Sequence, residues 1–264
     1  MTTKNILEET FSKCLTYIKS NETAKATSEA QSLIEKCKNI IYDSEMSSEV
    51  KDDALLIGIF FRGIQNFANL KQMTISSDWI KKPALVNQIW CEMWDCKDRL
   101  KYAASSFINS YINKADLEWI YNEISSLYQY FNQEFGHGLY ASPTFLFERM
   151  ICSICGQDAR ACEHITGKIY SGNICENNPS KVVPGDHMLI TENPADPRCR
   201  VWAWQNPDDP RYELWTSLNE KESYEEICAL YFFLLNDFMY VLPIPKMVFK
   251  IDRVNKCVCG TRMI

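Results

Sequence analysis

Residues 152–164 read CSICGQDARACEH, with Cys152 and Cys155 opening the stretch, Gly156 directly after them, and Cys162 and His164 closing it. Zinc takes Cys thiolate and His nitrogen as ligands, four of them in a tetrahedron. Cys-x-x-Cys-Gly is a turn whose two sulfurs converge on one point. Gly156 suits the positive φ that lets backbone N–H groups face those sulfurs. Cys162 and His164 lie two residues apart, so on an extended segment both point to the same side. The expected site is therefore a closed set of Cys152, Cys155, Cys162 and His164 around Zn2+. A closed set leaves no position for water, and such sites are structural rather than catalytic. Cys175 is a reserve fourth ligand, and His187 is a weaker candidate for the same place. Two other readings stand beside this one. The cysteines also suit the role of small buried hydrophobes. Cys152 and Cys155 alone also suit a redox pair, which leaves Cys162 and His164 without a purpose.

Outward from this stretch, the chain changes texture on either side of Gly136-His137-Gly138. Residues 1–135 hold almost no Gly or Pro, and apolar residues recur at three- and four-residue intervals, which predicts helices. Ile6, Phe11, Leu15 and Ile18 mark the first. Leu33, Ile34, Cys37, Ile40 and Ile41 mark the second, with Asn21 as a candidate cap. Ser47-Ser48-Glu49 opens a longer helix over about 48–72. Gly58 and Gly63 sit inside it, each weakening it by roughly 1 kcal/mol relative to Ala, and they suit close packing against a neighbouring helix. Further helices are expected over 84–112 and from Asp116 to about 131.

From 136 to about 215 the sequence gathers most of its Gly and Pro, its tightly spaced cysteines and all three histidines. This predicts a small β-rich module, with strands near 188–191 and 200–204 and a turn between them. A helix near 222–241 and a strand near 247–254 are expected after it. The fold class is α+β: a mainly helical body, a small β-rich zinc-stapled module and a late buried helix. The expected division is a helical domain, 1–135, and a zinc-binding module with C-terminal helix and strand, 136–264, with packing of both as one unit left open.

The chain has 264 residues, 46% of them hydrophobic and 12% aromatic, enough for a sizeable core. Its net charge of −6 disfavours broad phosphate binding. Nucleic-acid contact is expected only through the basic tail, 246–262, which carries Lys246, Lys250, Arg253, Lys256 and Arg262. The N-terminal segment lacks the apolar core of a signal peptide. The most apolar run, 227–242, is shorter than the roughly 20 residues a membrane span needs. With 12 cysteines and no signal peptide, the expected compartment is the reducing cytoplasm, with no membrane association.

The spacing CSICG…C-x-H-x-x-G-x-x-Y-x-G-x-x-C, with the ENPADPRCR segment after it, resembles a short cysteine–histidine module of uncharacterised bacterial and mobile-element proteins. The resemblance covers about residues 152–204 and implies metal binding without implying an activity. The terminal Cys257-Val-Cys259-Gly260 is similar to the opening of the SEC-C motif, a small zinc module at the end of the SecA translocase. In that family a second Cys-Cys or Cys-His pair follows, and here it does not. The resemblance implies a partner-docking tail and a second metal site at Cys257 and Cys259, with Cys14, Cys37, Cys91 and Cys96 as conceivable further donors.

No phosphate-binding glycine loop, nucleophile elbow or H-E-x-x-H helix occurs in the sequence. Asp186 precedes His187 and suits orienting it, and Cys199 is a conceivable nucleophile beside it. Asp52-Asp53 reads as solvated surface or a helix start. Trp202 and Trp204 fall on one face of a strand. The function expected is a cytosolic zinc-binding interaction or adaptor protein with a protein partner, in a mobile-element or phage-related system. The alternative is an enzyme with a site between the helical body and the zinc module.

Overall fold

The computed structural model describes residues 3–104 and 112–202. Five helices come first: α1 (Thr3–Lys19), α2 (Thr23–Tyr42), α3 (Ser48–Met73), α4 (Pro83–Ala104) and α5 (Lys114–Phe135). Short strands follow: β1 (Leu139–Leu146), β2 (Arg149–Cys152), β3 (Ile169–Tyr170), β4 (Asn173–Ile174), β5 (Asn177–Ser180), β6 (Val183–Thr191) and β7 (Arg200–Val201). The fold is α+β and mainly helical, with a cysteine-rich module built on small strands. Residues 203–264, which include the expected helix at 222–241, the strand at 247–254 and the apolar run 227–242, lie outside the described residues.

Chain contacts group Met150–Asn178 with the helices of Met1–Glu134, and Phe135–Arg149 with the chain from Pro179 onward. The cysteine module thus packs as part of the helical unit.

α3 is the spine of the first unit, packing against α1, α2 and α4. Its start follows from Ser47, whose hydroxyl accepts the N–H of Val50 and so satisfies one of the orphan donors of the first turn. Phe60, Phe61, Ile64, Phe67 and Leu70 are almost wholly buried along it. Each such side chain contributes about 1.5–3 kcal/mol through the apolar surface it removes from water. Against the start of α4 and the end of α5, Trp90 and Phe131 meet edge to face at 5.1 Å between ring centres, and Trp79 closes on Phe131 at 5.2 Å.

Asn21 does not cap α2. It terminates α1 instead, with φ of 60°. Its N–H reaches the Ile18 carbonyl and the Glu22 N–H reaches that of Tyr17. These paired bonds close a helix end on a left-handed residue, a position that Asn tolerates and most residues do not. Glu22 occupies the cap position of α2 without a side-chain capping bond.

In the second unit, an antiparallel sheet runs in the order β6-β1-β7. β1 is the strand that the sequence pattern hid, because Pro143 stands in it. Pro has no N–H for a ladder. β7 pairs with β1 at Leu139 and Tyr140, short of Pro143, and the β6 register shifts between Pro143 and Phe145. β6 is longer than the 188–191 expected. Arg200, buried, donates to the carbonyls of Phe135 and Gly136 at 3.2 and 2.9 Å, groups that a helix end leaves without helical partners. Its guanidinium lies over the Trp202 ring.

The two glycines of α3 play different parts. A methyl group at Gly58 would meet Cys37 Cβ at 3.7 Å, an ordinary contact, whereas one at Gly63 would meet Leu100 Cδ2 and Cγ at 2.8 and 2.9 Å. Gly63 is the point of closest approach to α4. Gly58→Ala is therefore expected to stabilise the protein by about 0.5–1 kcal/mol through helix propensity. Gly63→Ala is expected to destabilise it, because overpacking costs about 1–3 kcal/mol and outweighs the same gain. Thermal unfolding of the two variants checks both signs; equal shifts would contradict the close contact with α4.

Candidate metal centre

β2 leads straight into the cysteine turn. The Cys152 N–H bonds to the Gln157 carbonyl and the Gly156 N–H to the Cys152 carbonyl, both at 2.9 Å. Gly156 has φ of +72°, with open space where a Cβ would stand, so the sharp reversal needs glycine for its backbone and not for room. Asp158 then ties the exit: it accepts from the Arg160 backbone at 2.9 Å and pairs with the Arg160 guanidinium. The chain returns through Cys162 and His164 to the β3–β4 hairpin, whose turn is made by Ser171 and Gly172 at φ of 49° and 75°.

This path brings Cys152, Cys155, Cys162 and His164 together, with one ligand atom from each lying within 4.8 Å of all the others. The burial is graded. Cys152 is buried, Cys162 and His164 are half-buried, and Cys155 is exposed. The Cys152 thiol is pulled down to about 6, first by the backbone N–H of Cys155 and also by that of Ile154, against the opposing effect of burial. These are the N–H groups that the glycine turn was expected to aim at sulfur. Cys162 is pushed up, first by burial and then by the neighbouring sulfurs of Cys152 and Cys155. With Cys152 lowered, Cys162 resists ionising beside it, and a cation among the donors would remove that resistance. The Nδ1 atom of His164 is buried without a hydrogen-bond partner. Buried polar atoms are rarely left so, and a metal ion among these donors is one way to satisfy the imidazole. Three sulfurs and one imidazole are the donor set of a four-coordinate site with no position left for water.

Cys175 also belongs here. It is fully buried, and its sulfur is 3.8 Å from that of Cys152. Burial above all pushes its thiol up to about 11. Tyr170 supports the histidine from behind: its ring meets that of His164 edge to face at 4.7 Å, and its hydroxyl accepts the Ile165 N–H at 3.0 Å.

The chain matches no known family model, no curated protein and no solved structure.

The module is docked on the helices by contacts that its own motif does not contain. Asp52 of α3 accepts the Gly172 N–H at 2.6 Å, Ser48 shares a hydroxyl bond with Ser171 at 2.6 Å, and the Tyr102 hydroxyl of α4 donates to the Gly167 carbonyl at 2.7 Å. Asp52, read from the sequence as a solvated acid or a helix start, is thus a docking residue. No local signal marks it, because its partner lies 120 positions away.

The other candidate residues scatter. His137 is exposed. The side chains of Asp186 and His187 lie outside the described residues, as do Cys257, Cys259, Trp204 and the basic tail. The Cys199 sulfur donates to the Asp196 carbonyl at 2.8 Å. Cys14, Cys37 and Cys96 are buried in the helical core, and burial pushes the first two up to about 12 and 11.

At Gly172 the backbone faces α2 and α3 directly: a Cβ would stand 3.0 Å from Ile41 Cγ2 and 3.3 Å from Lys51 Cβ, on a φ of +75°. Gly172→Ala is expected to cost about 1–3 kcal/mol through this crowding and the left-handed backbone. Hydrogen exchange should then report weaker protection of the 167–175 amides while α4 and α5 stay protected. Unchanged protection would mean that the hairpin is not held by this contact.

Proposed function

We propose that the chain is a cytoplasmic zinc-binding protein whose Cys152, Cys155, Cys162 and His164 close around one structural zinc ion. The stapled module serves as a docking platform for a protein partner. The observation that carries this reading is the donor set: three sulfurs and one imidazole nitrogen within mutual reach, enough to fill a tetrahedral ion without water. Zinc is the ion that Cys3His sets of this geometry hold. Thiolate ligands need a reducing compartment, which supports the cytoplasm. No helix among the described residues is long and apolar enough to cross a membrane.

The adaptor role is supported by what surrounds the module. The α2–α3 corner that carries it exposes Tyr42, Met46 and Val50, and the module itself exposes Ile165; Tyr42 is 84% exposed and Ile165 52%. These exposed apolar side chains, around the contacts that hold the module, are what supports a partner-binding surface here. On the resemblance of the cysteine–histidine pattern, the partner belongs to a mobile-element or phage-related system.

Chelation tests the zinc half. Removing the metal is expected to lower the thermal midpoint and to erase amide protection over 150–178, while the far-UV helical signal persists, since the helical core is formed by apolar packing. Cys162→Ser together with Cys175→Ser should reproduce that state without chelator. A module equally protected with and without metal would contradict the structural role. Partner capture tests the other half. The Tyr42→Ser and Ile165→Ser double variant should keep its zinc and lose the protein that the wild-type chain retains at physiological salt. Capture undiminished by that variant would rule this face out.

A further inference from the structure

The metal centre has more donors than a tetrahedral ion accepts. Besides the four atoms within 4.8 Å of each other, the Cys175 sulfur stands 3.8 Å from that of Cys152. Zinc–sulfur bonds of about 2.3 Å in a tetrahedron set the sulfurs about 3.8 Å apart. Cys175 thus already occupies the separation that one edge of such a tetrahedron requires.

Its backbone is held there firmly. The Cys175 N–H bonds to the Lys168 carbonyl and the Gly167 N–H to the Cys175 carbonyl, both at 2.8 Å. On either side of it the strand is stitched to the cysteine turn: Ser153 donates its backbone N–H to the Glu176 carbonyl at 2.8 Å and its hydroxyl to the Ile174 carbonyl at 3.3 Å, and the Glu176 N–H returns to the Ser153 hydroxyl at 2.9 Å. Cys152 and Cys175 therefore share one rigid frame. His164 is fixed by fewer local bonds. Its neighbour Ile165 hangs on the Tyr170 hydroxyl, and the His164 ring leans on the Tyr170 ring.

We propose that Cys175 is a fifth donor to the same ion and takes the fourth coordination position from His164 when a softer ion binds or when the imidazole is lost. This rests on the zinc-binding reading above and deepens it. With His164 the ion sees three sulfurs and one nitrogen; with Cys175 it sees four sulfurs, a set that favours thiophilic cations. The exchange is a substitution of one neutral imidazole by one thiolate, with the thiol proton released to solvent and no change in oxidation state.

X-ray absorption on the full chain carrying Cys257→Ser and Cys259→Ser, so that only this module is counted, tests the proposal. Zinc-sulfur and zinc-nitrogen neighbours are resolved at about 2.3 and 2.0 Å. Cadmium bound to this chain is expected to show four sulfur neighbours. Zinc bound to the His164→Ala variant is also expected to show four, with affinity within about tenfold of the parent, whereas adding Cys175→Ser to that variant should cost about a hundredfold or more. The cadmium arm needs no change at His164, so it decides the matter even if His164→Ala unfolds. Three sulfurs and one nitrogen around cadmium, or zinc lost from a folded His164→Ala chain, would overturn the role of Cys175 alone. Fewer than three sulfurs around zinc in the parent chain would instead contradict the closed site itself.

Discussion

The structure of the cysteine module depends on the convergence of three thiols and one imidazole on a single point. Cys152, Cys155 and Cys162 lie with His164 inside a 4.8 Å cluster. The turn at Gly156 lowers one thiol with backbone N–H groups, and burial first, then the sulfurs so gathered, push up Cys162. A divalent cation among these four donors would relieve that conflict. What looks like a small irregular fold is an arrangement of hydrogen bonds that delivers four donors to one point.

The helical unit solves a different problem. It buries aromatic and branched side chains along α3 and lets α4 approach at Gly63, so its order follows from apolar packing. The module cannot bury a comparable core. It borrows rigidity from the helices through three polar contacts, at Asp52, Ser48 and Tyr102, and on the proposed reading from a metal held by its cysteine–histidine cluster. Small modules commonly need such a covalent or metal constraint, because too little apolar surface is available to offset chain entropy. Seen this way, the helices are the foundation and the module is the presented element.

Much of this was legible in the sequence. The spacing of Cys152, Cys155, Cys162 and His164 predicted their convergence because each step is local: a glycine turn, then two side chains on one side of an extended segment. The helix starts at Ser47 and near Asp116 were readable for the same reason. Asn21 was misread, because the same residue type suits the start of one helix and the left-handed end of another, and only the bonds to Ile18 and Tyr17 decide between them. β1 was missed because Pro143 argues against a paired strand, and its pairing with β6 depends on a register shift that no sequence pattern announces. Asp52 was invisible as a docking residue, since long-range partners leave no periodicity. The grouping of 150–178 with the helices has the same origin: it is fixed by contacts far apart in sequence.

The central claim is that one cation completes the cluster, and native mass spectrometry of the full chain carrying Cys257→Ser and Cys259→Ser measures it most directly. A single zinc ion per chain is predicted, bound with loss of thiol protons, and absent when Cys152 and Cys175 are both also replaced by Ser. A folded chain that carries no metal in the presence of excess zinc, or one whose zinc survives the loss of both Cys152 and Cys175, would contradict it.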